Sequence, residues 1–489
     1  MSFTTVYFAL FLTAVLCGYY AVRPEKRYLF VLSCNLFFYI SWCDTFYDLF
    51  PVVFVTAASW LYGRYASDQR IKNKKAFFGV LTLICLFPLL YFKYQNFVIE
   101  NVFGLTGVLL SHKNPVAPVG ISFFTFQAVG YVADVYRGTV APEKNPFRYA
   151  AFVTFFPTVA SGPIERAGHL IAQFSDENRT KTDWRNIKNG AILFFYGVFV
   201  KLVVSNRLAV VADTVFPDYE RYDGFSLLVS SLFYTLQIYC DFLSYSLMAL
   251  GVAKTMNLDV FENFKAPYFS ESVQEFWRRW HISLSFWLRD YVYIPLGGNR
   301  CSARRKDFNV LATFLISGWW HGANWTFIFW GLLHGLYQIV GIRTKELRRK
   351  FVEAFEIKTD RFSVRFWRKL FVFACVSTAW IFFRSETITD AFKYIARMVS
   401  TISVIDMMNF KFDAVGLKAL EANILLIYLG VFVMIDYLKY KTDKNVDALI
   451  EEQDYVFQSC FLFFLFVSVF VFGTYGPDFN AQDFIYIKF

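Results

Sequence analysis

The chain has 489 residues, of which 56% are apolar, 21% aromatic and 18% charged, against about 25% charged in ordinary soluble domains. Its 61 Phe and 30 Tyr are more aromatic surface than a soluble core buries, whereas lipid and the bilayer interface accept it. The net charge of +10 sits in short loops between apolar runs, as in the positive-inside pattern, and no basic stretch with interleaved aromatics points to nucleic acid.

From the N-terminus, the run 3–22 lacks a basic leader region and a small-residue cleavage site, so it reads as a retained span. A helix needs about 20 apolar residues to cross the hydrocarbon core. Further runs lie at 28–43, 46–63, 76–92, 115–136, 190–211, 225–253, 308–341, 370–383, 423–438 and 455–475. Period-2 alternation is absent, so the fold class is all-α: a polytopic bundle of about 11–12 spans with re-entrant or interfacial helices. Basic loops at 23–27, 64–75, 254–306 and 343–369 read as cytoplasmic, and the acidic segment 213–223 as external. Basic loops on both sides of 149–164, broken by Pro157, Gly162 and Pro163, make that run a re-entrant element. The same logic makes 308–341 a bent pair of helices turning near His321, and leaves 385–422 as an external amphipathic loop.

The eight cysteines form no CxxC pair and mostly lie inside apolar runs, which argues against a disulfide framework or a zinc site. There is no P-loop, GxSxG, HExxH or GxGxxG motif. Five histidines remain: His112, His169, His281, His321 and His334. His321, between Gly318 and Gly322 within apolar runs, is either a general base toward a hydroxyl or a histidine packed between helices. Around His281, a helical reading puts Trp277, Trp280, Leu284, Trp287 and Tyr291 on one apolar stripe and Arg278, His281, Ser285 and Arg289 on another face. Such a helix either anchors at the membrane surface or docks an anionic donor such as the phosphates of coenzyme A. Gly297-Gly298-Asn299 is a turn that exposes backbone N–H groups. His334, 13 residues beyond His321, falls on nearly the opposite face of a continuous helix and reads as structural. His112 and His169 lie in loops. Lys201, Asp134 and Asp241 each either orient a catalytic group or pair locally.

The block Glu275-Phe276-Trp277-Arg278-Arg279-Trp280-His281-Ile282-Ser283-Leu284-Ser285, continuing to Pro295-Leu296-Gly297-Gly298-Asn299-Arg300, resembles the signature of the membrane-bound O-acyltransferase (MBOAT) superfamily. Trp320-His321-Gly322-Ala323-Asn324-Trp325-Thr326 looks like its second hallmark. Pro118-Val119-Gly120, Asp134-Val135-Tyr136-Arg137-Gly138, Gly162-Pro163-Ile164 and, with imperfect agreement, the terminal 484–489 resemble the branch typified by the alginate O-acetyltransferase membrane subunit. The resemblance implies one membrane domain over 1–489, with a signature core at about 115–341 and helices ringing a central tunnel. It implies His321 and His281 as catalytic, and Arg278, Arg279, Ser285, Arg289, Asn299, Asn324 and Trp325 as donor- or substrate-binding, with no metal and no resident cofactor. The implied reaction takes acetyl from acetyl-coenzyme A toward an extracytoplasmic polysaccharide, directly or through a partner acetyltransferase, in the bacterial inner membrane. D-alanyl transfer to teichoic acid is the alternative within the superfamily. That branch shares the Arg-Arg-Trp-His block but generally lacks the Pro-Leu-Gly-Gly-Asn-Arg continuation. A non-enzymatic polysaccharide or lipid transporter is the alternative outside it.

Overall fold

The computed structural model describes residues 1–103, 117–174, 176, 179 and 181–475; His112 and the terminal motif lie outside them. Among the described residues there is helix and no strand. Eight helices are long and apolar enough to cross a membrane: Phe46–Tyr65, Lys74–Asn101, Trp184–Val215, Gly224–Thr255, Trp325–Arg343, Phe362–Arg384, Ala419–Thr442 and Tyr455–Phe472. Other apolar runs give shorter helices, Val6–Ala21, Arg27–Ile40 and Ile121–Arg137. The described residues divide into two compact units, one of Met1–Phe195 with Tyr245–Glu262, the other of Tyr196–Ser244 with 263–475.

In the first unit the run 149–164 forms two short helices, Pro146–Val153, whose first turn is exposed and whose second half is largely buried, and the buried Phe156–Val159. At 1.5 Å per residue neither crosses a bilayer, in keeping with a re-entrant element. The backbone freed at the break needs partners inside the protein. Buried Asn35 supplies them, donating through Nδ2 to Ala151 O at 3.0 Å and accepting from the Phe156 N–H at 2.9 Å. His169 stacks on Phe261 with ring centroids 4.5 Å apart. Its Nδ1 lies 3.0 Å from buried Glu165, whose hydrogen bond holds the imidazole pKa above its ordinary value. Glu165 also accepts from the Phe261 N–H, and Gln173 bonds both the N–H and the C=O of Asp259. His169 thus helps fasten the 259–261 segment.

In the second unit the stretch 308–341 is the bent pair that its flanking charges require: Ala303–His321 and Trp325–Arg343, joined at Gly322–Asn324. Asn324 caps the second helix, accepting from the Thr326 N–H at 3.0 Å. The two limbs meet at backbone contact. A Cβ on Gly318 would strike Phe327 O, and one on Gly331 would strike Phe314 O. In lipid, where apolar surface gives helices little reason to associate, such small-residue contacts supply the packing energy. Gly331→Leu is expected to splay the hairpin at a cost of about 3 kcal/mol or more, seen as a lower melting temperature in detergent.

The 273–291 region departs from the helix expected of it. Instead of one continuous interfacial helix there are two, Val273–Arg279 and Ile282–Leu288, broken at Trp280–His281. His281 takes a left-handed backbone, φ 41° and ψ 56°, which costs an L-residue about 1–2 kcal/mol. Two backbone bonds clip the break to the preceding segment: Ile282 N–H to Asn263 O and Lys265 N–H to Arg279 O, both 3.0 Å. The broken helix turns Phe276, Trp277, Trp280 and His281 into the unit's interior, where all four are buried.

Candidate functional site

The inbound helix Val273–Arg279 delivers His281, and the hairpin delivers His321 at the end of its first limb. The two ring centroids are 6.5 Å apart, and both side chains are nearly inaccessible, at 0% and 3%. Asn263 Oδ1 accepts from Ser283 Oγ at 2.7 Å and lies 3.3 Å from His281 Nδ1. With that oxygen as acceptor, a neutral His281 carries its proton on Nδ1 and its lone pair on Nε2. Asn263 is therefore a positioning residue that sequence reading missed. It lies 18 positions upstream, and no periodicity links an irregular segment to a kink that far along.

Aromatic rings enclose the pair. Phe242 stands perpendicular to His281 at 4.7 Å, and Trp320 lies 6.1 Å from it. His321 meets Trp330 at 5.1 Å and Phe383 at 5.4 Å. Trp330 stacks on Trp380 at 5.5 Å, and Trp380 packs on Trp280 at 5.0 Å. Within this cage Trp330 Nε1, Trp380 Nε1 and His334 Nε2 are buried without a hydrogen-bond partner among the described residues, as are Ser317 Oγ and Ser377 Oγ on the helices that carry His321 and Trp380. Buried donors seldom stay unsatisfied in a folded protein. A polar guest carrying acceptor oxygens suits this region better than hydrocarbon does.

The residues expected to bind donor or substrate do not gather at one place. Arg279 bonds Glu275 at 2.9 Å and Lys265 O at 3.0 Å, and lies over Tyr440, the ring that Lys369 also covers at 4.3 Å. Asn324 donates to Glu386 O at 2.9 Å, past the other end of Phe362–Arg384. From Lys369 to Arg384, where that helix ends, is 15 residues, about 22 Å at the helical rise. Arg278 is exposed and Trp325 opens the second hairpin limb, half exposed. Arg289 pairs with Asp290 at 2.8 Å, Ser285 Oγ donates to Trp280 O at 3.3 Å, and Asn299 accepts from Tyr293 Oη at 2.9 Å. Two of the three amides of the Gly-Gly-Asn turn are not offered as expected: the N–H groups of Gly297 and Gly298 are spent on the Ile294 and Tyr293 carbonyls. Lys201 and Asp241 neutralise each other at 2.5 Å within the unit, on the π-helical turn Val200–Ser205 and the long helix Gly224–Thr255 respectively. Among the described residues no group of His, Cys, Asp and Glu could hold a metal ion.

The model of MBOAT, the membrane-bound O-acyltransferase family, matches residues 140–385, which contain both histidines. The chain is 36% identical over 407 residues to a "Probable alginate O-acetylase AlgI" of Azotobacter vinelandii, covering 81% of this chain and 77% of that one. It is 32% identical over 428 residues to a "Peptidoglycan O-acetyltransferase" of Helicobacter pylori, covering 81% and 79%. To a "Teichoic acid D-alanyltransferase" of Bacillus subtilis it is 29% identical over 246 residues, covering 46% and 61%. With a paired-histidine centre inside the matched region and eight membrane-length helices, the chain belongs to the membrane-bound O-acyltransferase family and is a multi-pass acyltransferase.

Proposed function

We propose that this protein resides in the bacterial inner membrane and moves acetyl from acetyl-coenzyme A, docked at the basic end of the second unit, toward hydroxyls of an extracytoplasmic polysaccharide. The transfer is direct or passes through a partner acetyltransferase. The observation that carries this reading is the pairing of His281 and His321, whose ring centroids are 6.5 Å apart, close enough for both imidazoles to face one bound hydroxyl. His321 takes the hydroxyl proton as the oxygen attacks the thioester carbonyl. The carbon–sulfur bond breaks, and the proton passes to the leaving thiolate, so no net charge accumulates in the low-dielectric interior. The unsatisfied indole donors of the cage are groups of the kind that a carbonyl oxygen gaining negative charge requires. Acetyl is favoured over D-alanyl because the relatives named for O-acetyl transfer match 81% of the chain and the D-alanyltransferase 46%.

His321→Ala is expected to lower incorporation of labelled acetyl from acetyl-coenzyme A into surface polysaccharide by about 100-fold or more, the scale of a lost general base, with membrane levels of the protein unchanged. Wild-type incorporation in that variant would refute the reading. Asn263→Leu should leave His281 in place but free its tautomer, lowering kcat by about 10- to 100-fold, as loss of an orienting partner does at other sites. Steady-state rates in membranes carrying the variant as the sole copy measure this.

A further inference from the structure

We propose that His334 is a positioning residue which, with Trp277, sets the spacing between His281 and His321. The inference rests on the acetyl-transfer reading above. His334 is wholly buried on the second hairpin limb. Its Nδ1 lies 3.2 Å from the indole Nε1 of Trp277. Indole N–H only donates, so Nδ1 must hold the lone pair, and a neutral ring carries its proton on Nε2.

This bond joins the two elements that deliver the paired histidines. Trp277 is on the inbound helix, one turn before His281. His334 is on the limb that packs against the helix ending at His321. One turn earlier on the same limb, Trp330 stands nearly perpendicular to His321 at 5.1 Å and inclined by 68° to His334 at 4.9 Å. His334 therefore touches the carrier of His281 through Trp277 and the ring packed on His321 through Trp330. One turn further, Gln338 Nε2 donates to Val273 O at 3.3 Å, so the contact continues between the same two helices. Apolar packing inside a membrane protein tolerates sliding, whereas a directional hydrogen bond selects one register. A shift of about 1 Å between the two imidazoles would suffice to slow the reaction strongly.

The variants Trp277→Phe, His334→Leu and His334→Asn separate this role from mere structural support. Asn keeps an acceptor oxygen close to the position of Nδ1; Leu removes it, and Phe removes only the donor. With labelled acetyl-coenzyme A, Trp277→Phe and His334→Leu are each expected to lower kcat at least tenfold with KM for acetyl-coenzyme A within twofold. The double variant should be no slower than the slower single one, and His334→Asn should retain at least a third of the wild-type rate. Melting temperatures in detergent should stay close to wild type. The proposal is overturned by kcat within twofold of wild type in both single variants, by effects that multiply in the double variant, or by losses that track falling melting temperature. Should His334→Leu fail to accumulate, Trp277→Phe and His334→Asn decide the matter by the same criteria. His321→Ala run alongside separates the two levels. Full activity there removes the underlying reading, whereas its inactivity with wild-type rates in Trp277→Phe and His334→Leu removes only the role of His334.

Discussion

The second unit depends on a break in one helix. A polar backbone in lipid must satisfy itself, and continuous helix is the cheapest way to do so. Here the chain gives that up at Trp280–His281, places a non-glycine residue in the left-handed region, and recovers the lost bonds from Asn263 and Lys265. The break turns the histidine inward. Had the helix continued through position 281, the ring would fall between the directions of Trp277 and Ser285, on the flank shared with Arg278. Strain of this kind persists only where surrounding contacts over-determine it. The two backbone clips, the Asn263 side chain and the ring of Phe242 do so here.

The cage around the pair serves chemistry and stability through the same side chains. Trp280, Trp330 and Trp380 are each almost fully buried and contribute large apolar area, with centroid spacings of 5.0–5.5 Å that suit aromatic pairs. Yet Trp330 and Trp380 leave their indole N–H groups without an acceptor among the described residues. A core selected for stability alone would favour phenylalanine at both positions, because an unsatisfied buried donor costs about 1–3 kcal/mol. Retaining indole there is intelligible if the donors meet an oxygen during the reaction.

Much of the architecture was legible in the sequence because hydropathy and charge are strong, local signals. Basic flanks required 308–341 to bend, and it does so at Gly322–Asn324. Proline and glycine marked the short helices within 149–164. The kink at His281 carried no such marker. No glycine or proline falls between 273 and 294, and both halves remain helical, so a 3.6-residue pattern runs through the break unnoticed. The facing of His334 was not legible for a related reason. Counting 13 positions from His321 presumes one helix, and the bend at Gly322–Asn324 resets the phase. Asn263 was invisible because its partner lies across an irregular segment.

The division of the expected binding residues between two ends of Phe362–Arg384 bears on how a vectorial reaction would be organised. Arg278 and Arg279 lie toward the end where Arg365, Arg368 and Lys369 gather around Glu271 and Tyr440. Asn324 and Trp325 lie toward the end marked by Arg384 and Glu386. A single soluble-type pocket would place donor and acceptor contacts side by side. A catalyst joining two compartments needs recognition at both ends and chemistry between them, with the intervening wall dry enough that neither substrate leaks through. His321 packs on Phe383, one residue before Arg384, and so lies nearer the Asn324 end than the basic one. In the proposed reaction the acceptor hydroxyl then has the shorter path, and the extended thioester arm of the donor spans the longer one. Long, thin and largely uncharged beyond its phosphates, that arm is the part of either substrate best suited to cross an apolar helix bundle.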